Sequence, residues 1–457
     1  MKSLLLFVVL LCCYSSFAQN DRGCVTKRQM DSLHAAIMAN RPHLVSQGKL
    51  PADPLNIGWS HAFRWPMVAA GNNYQPNFYY NSNFVDLDPA TNSNDDHDTS
   101  VIEDYHCGNR TYDGHSGTDI AIGPFGWTMM DNNNVYVVAA EQGTIVAKHQ
   151  GELSRTCKRG VVINNYGNYI AVELSDGLIT YYMHMKNGTL TNKDTGDVVN
   201  VGEYLGVVAS SGNSTGPHLH FEVRSPYSEI DPFFNGACHD DHAGLVTSSF
   251  WADEEPYMNP KILSVFTLSA PWTEPQCDET GYSNGISGVV PYCNHFASNS
   301  TVFFSASVRD MSTPTTVRLR IYNPSGTELY DNTFDITYYD KEHTIPVQVF
   351  FPGSTQGTYK LLCTYNGVSE PHFFTVGCPP SQTLSGTVSS NTGVISGGSI
   401  NSTETVSSTA VNVEYQAETY IQFNPGFHAV AGCDLLARID ACTAGGQKMT
   451  KEEKKKQ

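Results

Sequence analysis

Residues 216–224 read GPHLHFEVR, and polar and apolar side chains alternate from His218 onward. Alternation of this kind predicts a β-strand, in which successive side chains point to opposite faces of a sheet. His218 and His220 therefore project to the same face, while Leu219 turns into the core. The preceding residues, Ser-Thr-Gly-Pro at 214–217, predict a turn that aims the start of the strand. One strand thus delivers two imidazoles to one cleft.

A second polar segment lies upstream, where residues 115–119 read HSGTD. Gly114 and Gly117 argue against a helix, so we expect a tight loop that enters a strand at 118–122 and approaches a metal ion closely. Together residues 115–119 and 216–221 supply three imidazoles and one carboxylate. Two imidazoles and a carboxylate are enough for a zinc ion that keeps one coordination position open, as catalytic zinc sites do. The third imidazole is then left over for chemistry.

A further histidine lies between these segments, in a predicted strand at 181–185 that reads YYMHM. Taken alone, His184 would be an ordinary core or surface histidine. Its occurrence in the same region as the other four polar residues indicates instead that it belongs to the same cleft.

The region from about residue 100 to 236 consists of short apolar or alternating runs, which are bounded by Gly, Asn, Asp or Ser. The runs are Val135–Ala140, Gly143–Lys148, Val161–Asn164, Tyr169–Leu174, Ile179–His184, Tyr204–Ala209 and His218–Val223. No apolar repeat of helical period and length competes with this strand-turn-strand spacing. The pattern predicts a mainly β fold, with a compact antiparallel β-sheet domain at 100–236.

Three blocks of this domain resemble the signature blocks of the lysostaphin-like (LytM-domain) zinc endopeptidases. The blocks are YDGHSGTDI at 112–120, the strand that ends in His184, and GPHLHFEVR at 216–224, which is followed by Ile-Asp-Pro at 230–232. Their order and separations agree with the family. The resemblance covers only the 100–236 domain.

The resemblance implies one zinc ion per chain, bound by His115, Asp119 and His220, with His184 and His218 as catalytic residues in the cleft. Zinc polarises a scissile carbonyl and lowers the pKa of bound water toward about 7. A neutral imidazole can take the proton of that water, and a second can donate to the developing oxyanion. We assign His218 as general base and His184 as transition-state stabiliser, two roles that the sequence leaves interchangeable.

Two other features are candidates for site residues. Tyr112 is a candidate for a supporting hydrogen bond, although plain packing is the favoured interpretation. The cluster His-Asp-Asp-His at 239–242 could hold a metal in principle, but no strand or helix pattern directs those side chains to one point, and we assign it no metal.

The first 18 residues have the layout of a cleavable secretory signal peptide, with Lys2, an apolar run at 4–13 and a small-x-small ending at 16–18. We expect cleavage near Ala18 and an exported protein, either secreted or held in the periplasm or at the cell surface. The apolar run is shorter than the roughly 20 residues of a membrane span.

Ten of the 12 cysteines follow this leader, because Cys12 and Cys13 lie within it. An even number in an exported protein favours disulfides, and no Cys-x-x-Cys pair suggests a zinc knuckle. A short bridge such as Cys433–Cys442 is one candidate. The complete set is Cys24, Cys107, Cys157, Cys238, Cys277, Cys293, Cys363, Cys378, Cys433 and Cys442.

The net charge argues against two classes of partner. Lys plus Arg number 27 against 45 Asp plus Glu, which gives a formal charge of -18. Nucleic acids and anionic membrane surfaces both reward clustered positive charge, so neither is an expected partner. The one basic cluster lies in the tail at 443–457, which we interpret as a solvated end.

The remaining regions are predicted from composition and strand pattern. Residues 19–99 form a lead-in, with a short helix at Asp31–Ala39 and with Trp59, Phe63, Trp65 and Pro66 packed on the next domain. Residues 260–378 predict an immunoglobulin-like β-sandwich, with runs such as Thr301–Val308, Thr316–Tyr322, Val347–Phe351 and Tyr359–Tyr365. Residues 383–442 predict a small stacked-β or solenoid-like module, which loosely resembles the three-coathanger-stack modules of exported Bacteroidota proteins.

Three functions remain open. The leading one is a zinc endopeptidase that cuts peptidoglycan stem peptides or cross-bridges, a substrate that rests on the family resemblance alone. The second is a secreted proteinase acting on extracellular Gly-rich proteins, and the third is a non-catalytic wall-binding or adhesive protein. In each case the C-terminal modules would bind wall, surface glycan or export machinery, and the lead-in is a candidate pro-segment.

Overall fold

The computed structural model describes most of the chain between residues 25 and 439. The described residues are 25, 27–54, 60–70, 77–87, 102–157, 166–233, 248–272, 290–312, 314–379, 381–389, 392–407 and 412–439. The predicted leader, the 239–242 cluster, the basic tail and the predicted strand at Val161–Asn164 lie outside them. No helix in the described part is long and apolar enough to cross a membrane.

The lead-in contains a helix, α1 (Lys27–Ser46), where the sequence predicted a shorter one at Asp31–Ala39. The helix is longer because its apolar side chains pack on the sheet beyond both predicted ends, and this packing continues past Pro42. The buried side chains on this helix are Met30, Leu33, His34, Ile37 and Leu44. A second, short helix, α2 (Gly126–Asp131), was not predicted from the sequence.

Two antiparallel sheets lie between residues 67 and 230. Their strands are β1 (Met67–Ala69), β2 (Tyr79–Asn83), β3 (Thr118–Ile122), β4 (Val135–Val138), β5 (Gly143–His149), β6 (Asn168–Glu173), β7 (Ile179–Met185), β8 (Val198–Val199), β9 (Tyr204–Val207), β10 (His218–Arg224) and β11 (Glu229–Ile230). The larger sheet has the order β2-β3-β10-β7-β6-β5-β8, with β11 paired to β10, and the smaller has the order β1-β4-β9. The predicted antiparallel β-sheet is therefore confirmed.

The larger sheet is covered on both faces. One face packs against the smaller sheet in a core that includes Val137, Ile170, Leu219 and Phe221, and Phe63 of the lead-in joins this core as predicted. The opposite face carries α1, whose apolar side chains contact Tyr181 and Met183 of β7 among others. Trp65 also packs on the first core, while Trp59 lies outside the described residues.

A β-sandwich follows. Its strands are β12 (Lys261–Leu268), β13 (His295–Phe296), β14 (Val302–Met311), β15 (Thr315–Tyr322), β16 (Glu328–Ile336), β17 (Asp340–Thr344), β18 (Gln348–Phe350), β19 (Gly357–Tyr365) and β20 (Val368–Val376). One sheet has the order β12-β14-β17 with β18 paired to β14, and the other has the order β13-β20-β19-β15-β16. Both sheets contribute to one core, for example through Val265, Phe304, Leu319 and Phe374. The immunoglobulin-like type of this sandwich stays a prediction.

The last described region is a stack of parallel strands. They are β21 (Ser381–Leu384), β22 (Thr387–Val388), β23 (Thr392–Ser396), β24 (Ser399–Ser402), β25 (Thr405–Val406), β26 (Asn412–Ala417), β27 (Tyr420–Phe423), β28 (His428–Ala429) and β29 (Asp434–Ile439). They form three parallel sheets, β21-β24-β27, β22-β25-β28 and β23-β26-β29. The chain thus passes through the same three sides in three successive coils, which is the solenoid-like stacking expected from the sequence. The likeness to three-coathanger-stack modules stays a prediction.

The described cysteines are of two kinds. Cys107, Cys157 and Cys378 are disulfide-bonded, whereas Cys293, Cys363 and Cys433 are free thiols. The suggested Cys433–Cys442 bridge is therefore wrong. Cys433 lies just before β29, where the close spacing of two cysteines in the sequence gave no information on whether their side chains meet.

Candidate metal centre

Strand pairing brings the predicted ligands together. In the antiparallel pair of β10 and β3, His220 lies opposite Asp119. Directly opposed residues share a face of the sheet, so both side chains point to the face that carries α1. His115 lies in the loop just before β3, four residues from Asp119. Two strands and one loop thus place three polar side chains at one point.

Three atoms face one another at this point. Asp119 Oδ1 lies 2.9 Å from His220 Nδ1 and 3.2 Å from His115 Nε2, and the two nitrogen atoms are 3.3 Å apart. Donors arranged tetrahedrally at about 2.0–2.1 Å from a zinc ion lie roughly 3.3–3.4 Å from each other. The observed separations are close to this geometry. His115, Asp119 and His220 form the group in the described part of the chain that could hold a metal ion.

The imidazoles of the two candidate ligands, His115 and His220, are each oriented by a hydrogen bond from one ring nitrogen. His115 Nδ1 donates to the carbonyl oxygen of Phe84 at 2.7 Å, which leaves Nε2 as an acceptor for a metal. His220 Nε2 donates to Glu222 Oε2 at 3.1 Å, which leaves Nδ1 as the acceptor. Such outer partners fix the tautomer and the ring direction of metal-binding histidines. The histidines are therefore held in a form that can bind a cation before one arrives.

Glu222 contacts the candidate ligand His220, and no role was predicted for it from the sequence. It is fully buried and accepts a hydrogen bond from Ser116 Oγ at 3.0 Å in addition to that from His220. Its other oxygen pairs with Arg224 Nη1 at 2.7 Å, and Arg224 also pairs with Asp31 of α1. The signal was present, because Glu222 and Arg224 continue the alternation of β10 on the face of His218 and His220. A buried carboxylate two residues from a ligand is what orients an imidazole.

Asp119 is held as a carboxylate. Burial alone would raise the pKa of Asp119, but the charges of His115 and His218 and their hydrogen bonds hold this pKa well below the usual range. Its second oxygen, Oδ2, accepts a hydrogen bond from Asn83 Nδ2 at 3.0 Å. With Oδ2 occupied, Oδ1 is the oxygen that faces the two ligand imidazoles.

Gly117 allows the ligand loop to approach β10. A Cβ atom at this position would lie 2.7 Å from His220 Nε2 and 2.8 Å from the carbonyl oxygen of Phe221, which is closer than side-chain atoms pack. The close approach expected from the sequence is therefore present at Gly117. Tyr112 stacks on the ring of His115, with centroids 4.4 Å apart. This contact agrees with the interpretation that Tyr112 packs against the site.

His184 reaches the site through an irregular backbone. Its neighbour Met183 lies opposite His220 and shares its face, so strict alternation would turn His184 to the opposite face. However, the pairing of β7 with β6 shifts register between Asn168 and Ile170, and His184 has a φ of 63°. A bulge of this kind redirects a side chain. The ring of His184 consequently lies 4.7 Å from that of His218 and 5.9 Å from that of His220.

The two candidate catalytic histidines are anchored alike. His184 Nδ1 donates to the carbonyl oxygen of Ser211 at 2.7 Å, and His218 Nδ1 donates to that of Gly216 at 2.8 Å. These two hydrogen bonds fix the direction of both rings. His218 Nε2 lies 3.4 Å from Asp119 Oδ1, so it borders the ligand group directly.

Residues 114–232 match the model of the family described as Peptidase family M23. This match includes all five predicted site residues.

Two relatives and one solved structure are similar to part of the chain. The DD-carboxypeptidase/endopeptidase Mpg of Neisseria meningitidis serogroup B is 35% identical over 95 residues, which are 21% of this chain and 20% of that protein. The peptidoglycan DD-endopeptidase ShyA of Vibrio cholerae is 34% identical over 91 residues, 19% of this chain and 20% of that protein. The chain thus spans about a fifth of the length of these relatives. The antimicrobial peptidase lysostaphin from Staphylococcus simulans aligns with 57% of this chain and 81% of its own, at a TM-score of 0.20 and 18% identity.

Proposed function

We propose that this chain is a zinc-dependent metalloendopeptidase that hydrolyses peptide bonds in peptidoglycan stem peptides or cross-bridges. The observation that supports it most strongly is the grouping of His115, Asp119 and His220 beside His184 and His218, whose rings lie 4.7 Å apart. Structural zinc sites use four protein ligands, whereas three ligands and an open position are typical of catalytic ones.

The donor set suits zinc. Two imidazole nitrogens and one carboxylate oxygen favour a metal ion of intermediate softness, such as zinc. Calcium and magnesium instead take oxygen ligands. When bound, zinc supplies Lewis acidity and makes water acidic enough to act as a nucleophile near pH 7. His115, Asp119 and His220 would hold the ion. The hydrogen bonds to Phe84 and Glu222 described above would keep the two imidazole rings directed at it.

The two other histidines would move protons. His218 Nε2 borders the ligand group, so we assign it to accept the proton of the attacking water and to return it to the leaving amine. His184 Nε2, when protonated, would donate a hydrogen bond to the oxyanion that develops from the scissile carbonyl. Both rings keep a fixed direction during these steps, because their Nδ1 atoms donate to backbone carbonyl oxygens.

The wall substrate is supported by the relatives' names, which include a peptidoglycan DD-endopeptidase and a DD-carboxypeptidase/endopeptidase. We also propose export through the leader at 1–18, to the periplasm, cell surface or medium, for which disulfide-bonded cysteines are suitable. The proposed division is a lead-in at 19–99, a peptidase domain at 100–236, a sandwich at 260–378 and a stacked module at 383–442. The last two would contact wall, surface glycan or export machinery.

The substrate is tested by incubating the zinc-loaded protein with purified peptidoglycan and, separately, with a Gly-rich protein, and by identifying the fragments by mass. We expect cleaved stem peptides or cross-bridges from the wall. Fragments from the Gly-rich protein alone would refute the wall substrate and favour a secreted proteinase. Intact substrates in both samples would favour a non-catalytic binding protein.

A further inference from the structure

The sandwich is fixed to the peptidase sheet through buried charged groups. Arg110, which is 1% exposed, pairs with Asp310 of β14 at 2.5 Å. Arg309, which precedes Asp310 on β14, donates to the carbonyl oxygen of Tyr79 in β2 at 2.7 Å. The guanidinium of Arg309 lies 4.9 Å from the ring centroid of Tyr79. Buried arginines with fixed partners make a rigid junction. Strand β14 is thereby held in a set position beside the edge strand β2, and β17, which pairs with β14, is held with it.

Strand β17 carries Lys341, which reaches the metal centre. Lys341 Nζ donates to Asn83 Oδ1 at 2.7 Å, while Asn83 Nδ2 donates to Asp119 Oδ2 at 3.0 Å. Asn83 is 8% exposed. An ammonium only donates and a carboxylate only accepts, so these two partners admit one orientation of the Asn83 amide. The sandwich thus contributes a side chain to the hydrogen-bond chain that ends on a proposed zinc ligand.

We propose that Lys341 is a positioning residue for the metal centre, acting through Asn83 on Asp119. Lys341 holds the Asn83 amide with its NH₂ group toward Asp119, and that hydrogen bond keeps Oδ2 occupied and Oδ1 directed at His115 and His220. The sandwich is then a working part of the zinc site as well as a module that contacts other surfaces. This inference rests on the proposed function, because it takes zinc as the ion that Asp119 binds.

The test is the zinc affinity of the full chain, measured by competition with a chromophoric chelator. Outer partners of zinc ligands typically change metal affinity about 10- to 100-fold, so we expect Lys341→Met to raise the zinc dissociation constant by about tenfold. Lys341→Arg keeps a cationic donor and should restore most of the affinity. Lys261→Met is the matched control, because Lys261 lies on the same sandwich and pairs with Glu255 at 3.4 Å. It should bind zinc as the wild type does.

A second variant tests the route. Asn83→Ala should weaken zinc binding at least as much as Lys341→Met, and the double variant should be no weaker than Asn83→Ala alone, since Lys341 acts through the amide. The proposal is overturned if Lys341→Met and Lys261→Met have equal zinc affinity, or if the effects of Lys341→Met and Asn83→Ala add. Zinc affinity is measured without substrate. A wild type that binds zinc but hydrolyses nothing would therefore refute the proposed function and leave the role of Lys341 standing.

Discussion

The ring of His184 lies 4.7 Å from the ring of His218, although His184 follows a residue that already faces the site. This proximity depends on the left-handed backbone of His184, whose φ is 63°. A non-glycine residue in this region stores about 1–3 kcal/mol of strain. Strain of this kind is expected where a side chain must be redirected, and here it brings the imidazole of His184 to those of His218 and His220.

The strain at His184 can be measured by comparing two variants that both lack the imidazole. Glycine adopts positive φ without cost, so His184→Gly should be more stable than His184→Ala by about 1 kcal/mol in urea unfolding. Ala171→Gly in the neighbouring strand β6 is the control, since Ala171 has no positive φ and glycine there should cost roughly 0.5–1 kcal/mol. An equal or lower stability of His184→Gly would show that the left-handed backbone is not present.

Glu222→Gln tests the orientation of His220. Gln has the size of Glu, but only the oxygen end of its amide accepts hydrogen bonds. It therefore cannot accept from Ser116, His220 and Arg224 together, and one of these hydrogen bonds is lost. We expect zinc affinity to fall about 10- to 100-fold. Glu229→Gln is the matched control, because Glu229 also pairs with Arg224, at 3.4 Å, but does not contact His220. Equal zinc affinities of the two variants would contradict the role of Glu222.

The junction between peptidase sheet and sandwich is tested by two Arg-to-Met changes. Arg110 and Asp310 are 1% and 5% exposed, whereas Arg318 and Asp331 are 44% and 36% exposed. Removing one partner of a buried pair leaves an uncompensated charge and typically costs about 3–5 kcal/mol. Removing a partner of an exposed pair costs little, because solvent screens the two charges. Calorimetry should therefore show a large loss of stability for Arg110→Met and a small one for Arg318→Met, and similar losses would refute a buried junction.

His61 gives the protein a pH dependence in the alkaline range. Its imidazole donates to Asp176 at 3.0 Å and to Glu141 at 2.7 Å. Burial alone would lower the pKa of His61, but these hydrogen bonds and charges raise it from 6.5 to about 9. The folded state therefore favours the protonated form. The resulting stabilisation is complete below pH 6.5 and is lost as the pH rises through about 9.

A pKa of about 9 against 6.5 corresponds to about 3 kcal/mol. We expect the free energy of unfolding of the wild type to exceed that of His61→Gln by about this amount at pH 6 and by little at pH 10. If the difference in free energy of unfolding between the two proteins does not change over this pH range, Asp176 and Glu141 do not stabilise the protonated imidazole of His61.

Much of the site was predictable because strand alternation is local. The spacing of His218 and His220 fixes their common face, and the Gly-rich loop places His115 near Asp119 once β3 pairs with β10. The face of His184 was not predictable, because it depends on a bulge against β6. The role of Glu222 required knowing which ring nitrogen of His220 faces the metal position.

Contacts between distant segments could not be read from the sequence. Arg110 and Asp310 are buried together although 200 residues separate them. No sequence pattern around either residue predicts this contact. The same holds for Lys341 and Asn83. The extent of α1 was underestimated for a related reason, since Pro42 signals a helix end and only packing of Leu44 on the sheet continues the helix beyond it.

The central claim is that His115, Asp119 and His220 hold a zinc ion beside a catalytic His218. The most direct measurement is the zinc content of purified wild type, His115→Ala and His218→Ala, taken together with their rates of peptidoglycan hydrolysis. We predict one zinc per chain for the wild type, loss of both zinc and hydrolysis in His115→Ala, and retained zinc with hydrolysis slowed about 10²- to 10⁴-fold in His218→Ala. A wild type that contains no zinc and stays inactive after zinc is restored would contradict the account.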